Sequence, residues 1–496
     1  VVAILILLFI SKFVVCEMNK WLPAFDLALR DWALIFLCSI PAFFYLGTPA
    51  IYIWDEAVYA NASLDMANGA SWWLPVNGEY NTKPPLALWL QAICLHLIPS
   101  AEWAVRLPSA LSVTGILILL HTGLKRWGFD FWTRLLVMVC FVGHEGFIRH
   151  HIARTGDLDA VMTFFTTAYV MVVLDAIHQN RWSKKHLVYF FLAVVAAFYA
   201  KSIGGWLMLA PLGIIWILSP ARTILLTFRF WVGTVIAGVT CLLYYLTREL
   251  LQPGFLDLVW HSEYQRMFRN VMPWHEHGAS YYFTNFVTLK TFTPWIYFLA
   301  GATLYGLLLL KDMIIRRHLM QWMILGFGYM LVITIPATKL EWYDAPAYPF
   351  FALITGTIAG TLVSNLREQW KLMLIVPVLL IFGNKMLFIK SDIQPRHPFE
   401  YEGAILRNLQ TGPNTKVCMK VETPEHQLQL DFYRKLKAEQ TGTLIPVLDS
   451  VSQVAAGDHL IISQADQLQL IAERFLLDTL KIYPGLGYEI KVLERK

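Results

Sequence analysis

Apolar residues in this chain run in blocks. Blocks of spanning or near-spanning length fall near residues 32–50, 104–124, 132–148, 157–177, 187–201, 203–219, 230–247, 293–310, 321–336, 345–364 and 372–389. A helix needs about 20 such residues to cross a bilayer. Residues 1–16 read as a further, truncated span or a signal-like segment, and because the chain starts at Val1 its N-terminus is expected to be incomplete. Residues 84–99 are apolar but short, and read as a helix lying in or dipping into the interface. The pattern predicts a mainly α, polytopic membrane protein of about 11–13 transmembrane helices over residues 1–390.

After Lys390 the pattern turns polar and mixed. Strands are predicted at 417–421, 443–447, 459–463 and 488–493, and helices at 425–437 and 464–480. Residues 391–496 therefore read as a small soluble α/β domain. No internal repeat is visible.

The connections between blocks divide into two sets. Short basic ones (Lys125-Arg126, 181–185, 222–229, 311–317 and 367–371) alternate with longer ones (55–83, 149–159, the turn at Lys201, 248–290 and 339–344). Basic loops mark the cytoplasmic face. The second set, with the C-terminal domain, then lies on the exoplasmic (periplasmic) side of the cytoplasmic membrane.

Composition agrees: 57% of residues are hydrophobic and 15% charged, with a mean hydropathy of +0.50. An ordinary soluble protein is excluded. The net charge of +5 includes no polybasic run that would suggest nucleic acid. The six cysteines show no CxxC or zinc-finger spacing, so they read as packing residues.

The exoplasmic loops carry charge that solubility does not require: Asp55, Glu56, Lys83, Arg149, Arg154, Asp157, Asp159, Lys201, Glu263, Arg266, Arg269, His275, His277 and Lys339, with Tyr343. Carboxylates at a membrane surface are functional candidates by default. Each cation lies near a span end, at the depth of lipid phosphates. Snorkelling explains any one of them; a shared anionic ligand explains the set. Trp54 and Tyr59 flank Asp55 and Glu56 and suit sugar binding, although interfacial aromatics are also membrane anchors. His275 and His277 are two apart and suit hydrogen bonding to phosphate or sugar more than metal binding.

Taken in order, WDEAVYA, NTKPPLALWLQA, AVRLPSA, ARTGDLDAVMTFF, AKSIGGW and ATKLEWYDAPAYP resemble integral-membrane glycosyltransferases of the GT-C fold. The nearest branch looks like the bacterial aminoarabinose lipid A transferases and protein mannosyltransferase-like enzymes. The resemblance covers residues 32–365. It implies transfer of a sugar from a polyprenyl-phosphate donor to a lipid, glycan or protein acceptor, with inversion. It makes Asp55 the catalytic carboxylate, with Glu56 the second catalytic candidate beside it, and the expected donor-phosphate contacts are Lys83, Arg154, Lys201, Arg266, Lys339 and Tyr343. Asp157, Asp159, Glu263, His275 and His277 become candidates for sugar, acceptor or metal contacts. That branch carries a glutamate before Lys-Pro-Pro that helps hold a metal. Thr82 stands there, which weighs against a divalent metal, and no cofactor is expected to be required. Val58 replaces an arginine of the branch, which argues against copying the aminoarabinose substrate. Two alternatives are a flippase for a lipid-linked glycan and a non-enzymatic scaffold. The one-sided placement of the charges and the lack of a repeat weigh against the first.

Overall fold

The computed structural model describes residues 27–74, 82–148, 151–268, 275–288, 295–373, 375–391, 395, 397–409, 415–419, 427–442 and 444–496. The expected segment at residues 1–16 lies outside them, as do Arg149 and Arg269. Six helices are long and apolar enough to cross a membrane: Ala101–Arg126, Asp159–His178, Lys184–Trp206, Phe228–Leu251, Glu341–Ser364 and Glu368–Lys390. A seventh would be Leu209–Leu218 with Pro220–Leu226, two helices bent by 110° at Ser219. The shorter apolar helices Leu86–Leu97, Phe131–Gly143 and Trp295–Leu308 accompany them. The chain is thus a mainly helical, multi-pass membrane protein, with full-length spans among the described residues fewer than the apolar blocks suggested. Several blocks fold as helices too short to cross alone.

Between apolar helices in lipid there is little hydrophobic drive, so close packing carries the association. Phe131–Gly143 lies against Tyr348–Ser364 through two glycines one turn apart. A Cβ at Gly356 would sit 2.4 Å from the Val137 Cα, and one at Gly360 would sit 2.5 Å from the Thr133 Cα.

The C-terminal segment forms one five-stranded sheet: β1 Thr415–Cys418, β2 Val447–Leu448, β3 His459–Ile462, β4 Phe475–Tyr483 and β5 Gly487–Arg495. The strand order is β2-β1-β3-β5-β4. β1 is parallel to β2 and β3, while β5 is antiparallel to β3 and β4. The helix expected over 464–480 stops at Arg474, and its second half is β4. Phe475, Leu476, Leu477 and Leu480 look like an apolar helical stripe. The turn at Gly485 (φ 73°) and Gly487 (φ 151°) instead folds β4 back onto β5, and ladder hydrogen bonds decide the outcome.

This sheet is joined to the membrane part by a common apolar core. Ile51, Ala57, Ala60, Leu64, Ala101 and Val105 pack with Leu406, Val417, Leu430, Phe432, Tyr433 and Ile461.

Beside the sheet, Glu402 is buried, accepts a hydrogen bond from the Ser463 hydroxyl, and has an oxygen without a partner among the described residues. Burial pushes its carboxyl above the usual range. The folded state therefore holds this proton to higher pH than the unfolded chain. Stability is greatest below the ordinary carboxylate range and falls as pH rises through the raised value, by up to about 1.4 kcal/mol per pH unit. Glu402→Gln is expected to flatten this fall; thermal unfolding of both proteins between pH 5 and 8 checks it.

Candidate active site

Asp55 and Glu56 open the helix Asp55–Ala67. Acidic residues are favoured there because the first-turn N–H groups carry partial positive charge. The residue before them, Trp54, has φ 66° and ψ −121°. A tryptophan in that region costs about 1–3 kcal/mol and persists only where its surroundings fix it.

The two neighbouring carboxylates meet different surroundings. Glu56 is buried and held by Arg106, which is fully buried in Ala101–Arg126. Arg106 Nε donates to Oε1 at 2.6 Å and Nη2 to Oε2 at 2.8 Å. Each oxygen also takes a backbone N–H, from Gly156 at 2.8 Å and Tyr52 at 2.7 Å. Arg106 spends its other donors on the carbonyls of Leu46, Pro49 and Ala50. Glu56, expected as a catalytic group, is fully engaged in tying two loops to the helix that carries Arg106.

Asp55 is half-buried and meets a different set. One ligand atom from each of Asp55, His151 and Asp157 lies within 4.8 Å of the others. His151 Nδ1 is 3.5 Å from Asp157 Oδ2, and its ring stacks on Trp342 at 4.0 Å. Thr155 donates to Asp157 Oδ2 at 2.5 Å, while Oδ1 has no partner among the described residues. Burial first, then the charges of Asp55 and Glu56, push the Asp157 carboxyl well above its usual range. Two carboxylates and an imidazole, with an oxygen left over, are donors that suit a divalent cation.

A cleft of about 740 Å³, its open mouth included, is lined by Lys83, Asp159, Lys201, Glu263, Tyr329 and Tyr343, with Met162, Ile203, Leu207 and Ile333 as its apolar wall. Lys201 Nζ bridges both Asp159 oxygens at 2.6 Å and lies 5.4 Å from the centre of the Tyr343 ring. Lys83 Nζ is 3.0 Å from Glu263 Oε1, which also accepts the Thr82 hydroxyl at 2.6 Å. Thr82 therefore helps restrain Lys83 through Glu263. Tyr59 is buried, and burial and then the charges of Asp55, Asp157, Asp159 and Glu263 push its phenol well up.

Four other expected contacts are engaged elsewhere. Arg154 Nη1 donates to the carbonyls of Pro41, at 3.0 Å, and Phe44, at 2.5 Å. The Lys339 ammonium donates to the carbonyls of His277 and Pro336, at 2.8 and 2.6 Å, and burial lowers its pKa. The His275-Glu276-His277 segment runs antiparallel to residues 337–339, with a bridge between Glu276 and Thr338 and a 3.0 Å bond from Lys339 N–H to the His275 carbonyl. The His277 ring stacks on Tyr281. For these residues the geometry supports loop closure. Arg266 lies in the helix Gln265–Phe268, shortly after Glu263; its side chain is outside the described residues.

Sequence reading missed two residues of this region. Arg106 stands in the quoted AVRLPSA segment, where an ionisable group inside an apolar block is itself a functional signal. His151 offered no such signal, since only the fold brings it to Asp55.

The sequence model of the dolichyl-phosphate-mannose-protein mannosyltransferase family matches residues 82–245. An uncharacterized protein of Aquifex aeolicus is 23% identical over 66% of this chain and 64% of its own. The undecaprenyl phosphate-alpha-4-amino-4-deoxy-L-arabinose arabinosyl transferase of Pseudomonas savastanoi pv. phaseolicola is 28% identical over 49% of this chain and 47% of its own. The chain thus spans between about half and two thirds of the length of these curated relatives. Among solved structures, ArnT from Cupriavidus metallidurans bound to undecaprenyl phosphate aligns with 94% of this chain and 98% of its own, at TM-score 0.65 and 15% identity. The likeness shows that the fold is GT-C.

Proposed function

We propose that this GT-C-fold membrane protein is a glycosyltransferase. It takes a sugar from a polyprenyl-phosphate donor and passes it to a lipid, glycan or protein acceptor on the exoplasmic face of the cytoplasmic membrane. The observation that carries the reading is the cleft lined by Lys83, Lys201 and Tyr343, together with the half-buried carboxylate of Asp55. The structural relative's bound undecaprenyl phosphate and the arabinosyl transferase activity named for the Pseudomonas relative support the donor class.

In this reading Asp55 accepts the proton of the acceptor hydroxyl as that oxygen attacks the anomeric carbon. Attack from the face opposite the phosphate inverts that carbon. The bond from the anomeric carbon to the phosphate oxygen breaks, and its electron pair leaves with the polyprenyl phosphate. That leaving group is already a good one and needs cations more than an acid. Lys83 and Lys201 supply them and Tyr343 donates a hydrogen bond, so preorganised charge meets the departing phosphate. Asp159 and Glu263 hold the two lysines in place before the donor arrives. If a divalent cation binds, Asp55, His151 and Asp157 hold it, and it adds positive charge beside the reacting groups. Glu56 is assigned positioning in place of the catalytic role expected for it.

The reading is tested by supplying the reconstituted protein with polyprenyl-phosphate sugars and identifying glycosylated products by mass spectrometry, alongside envelope glycolipids and glycoproteins from cells with and without the protein. Movement of a lipid-linked glycan across proteoliposomes with no product would instead favour a flippase. Lys83→Gln removes a charge-assisted contact of about 1.5–3 kcal/mol, so donor KM is expected to rise by about ten- to a hundredfold. An unchanged KM would remove Lys83 from the phosphate site.

A further inference from the structure

We infer that Glu400 and Tyr433, from the C-terminal segment, are positioning residues for Asp55. The inference rests on the proposed role of Asp55 and adds a function for the sheet-bearing segment.

The strap of residues 51–54 leads into Asp55, and three successive N–H groups on it are captured. Ile51 donates to the Tyr433 hydroxyl at 2.9 Å, Tyr52 to Glu56 Oε2 at 2.7 Å, and Ile53 to Glu400 Oε1 at 2.9 Å. Two of the three acceptors lie more than 340 residues further along the chain. Tyr433 in turn donates to Glu102 Oε1 at 2.9 Å, and Arg407 Nε pairs with the same oxygen at 2.7 Å. The Arg407 guanidinium also reaches the carbonyls of Gly47 and Thr48. Glu400 is buried, and its own carbonyl accepts a bond from Gln429 at 3.3 Å. Further along, Asn61 donates to the Leu428 carbonyl at 2.8 Å and Lys435 pairs with Asp65 at 2.8 Å, so the Asp55 helix is held along its length.

The strap ends in the positive-φ backbone of Trp54, whose half-exposed ring meets His397 edge-on at 5.3 Å. That conformation aims the following residue, and backbone of this kind needs external partners to persist. Glu400 and Tyr433 supply two of them. A base displaced by about 1 Å can lose around a hundredfold in rate, so release of the strap should act on turnover more than on donor binding.

The test uses the full chain in nanodiscs, with amide exchange and steady-state transfer as readouts. Glu400→Ala is expected to speed exchange of the Ile53 amide and lower kcat at least about tenfold, with donor KM nearly unchanged. Glu400→Gln keeps an acceptor oxygen for Ile53 and should restore most of kcat. Tyr433→Phe, a milder change if Glu400→Ala does not fold, should speed exchange at Ile51 and lower kcat.

Unchanged exchange in the strap would overturn the inference, as would faster exchange with unchanged kcat or a glutamine variant no better than alanine. If the wild-type protein transferred no sugar, the proposed reaction would fall, while amide exchange would still judge whether Glu400 and Tyr433 hold the strap.

Discussion

Asp55→Asn is expected to lower the rate of sugar transfer by about a hundredfold to ten-thousandfold, the usual contribution of a general base, without unfolding the protein. Asparagine fills nearly the same space but cannot take the acceptor proton at neutral pH. Asp55 is half-buried and its charge is among those that disfavour ionisation of Asp157. Removing that charge relieves a repulsion, so the melting temperature should hold or rise slightly. Single-turnover transfer measured beside thermal unfolding separates chemistry from stability. Glu56→Gln is the contrasting variant: Glu56 accepts four hydrogen bonds from the protein, so the change strands donors, leaves the buried Arg106 charge without its partner, and is expected to show first as a loss of stability. If the Asp55→Asn variant turned over normally, Asp55 would not be the base.

The largest effect on stability is expected at Arg106. Arg106→Met removes the partner of a buried carboxylate and also strands the carbonyls of Leu46, Pro49 and Ala50. Breaking a buried pair by removing one member costs about 3–5 kcal/mol, because the remaining charge stays desolvated. Equilibrium unfolding in mixed micelles should show a loss of that size for Arg106→Met. Glu56→Gln paired with Arg106→Met should recover part of it, since no buried charge is then left alone. Additive losses in the double variant would show that the two side chains do not act as a pair. This result is independent of whether the protein transfers sugar.

Much of the architecture was legible as sequence. Apolar blocks of spanning length gave a multi-pass helical membrane protein, because in lipid a helix satisfies its own backbone. The switch after Lys390 gave the strands β1, β3 and β5 close to their observed positions. β4 was not legible: Phe475, Leu477 and Leu480 fit a helical stripe and a strand alike, and only pairing with β5 separates the two.

The candidate site was read less evenly. Lys83, Lys201 and Tyr343 line one cleft with Asp159 and Glu263, and each lysine is paired there with one of the two carboxylates. Arg154 and Lys339 looked equivalent to them in sequence, yet each donates to two backbone carbonyls. A cation at a span end serves whatever acceptor the fold places beside it, and spacing along the chain does not say which.

By itself the sequence determined the membrane class, the helical character of the apolar blocks, and the acidic pair ahead of Lys83. Composition and apolar run length act locally, so they can be read one segment at a time. The tertiary structure decided that Glu56 is spent on Arg106 while Asp55 stays half-buried beside His151 and Asp157. It also decided that a segment more than 340 residues downstream holds the strap ahead of Asp55. A carboxylate can act as a base or hold a loop, and the choice rests on which donors occupy its lone pairs. Those donors come from distant parts of the chain.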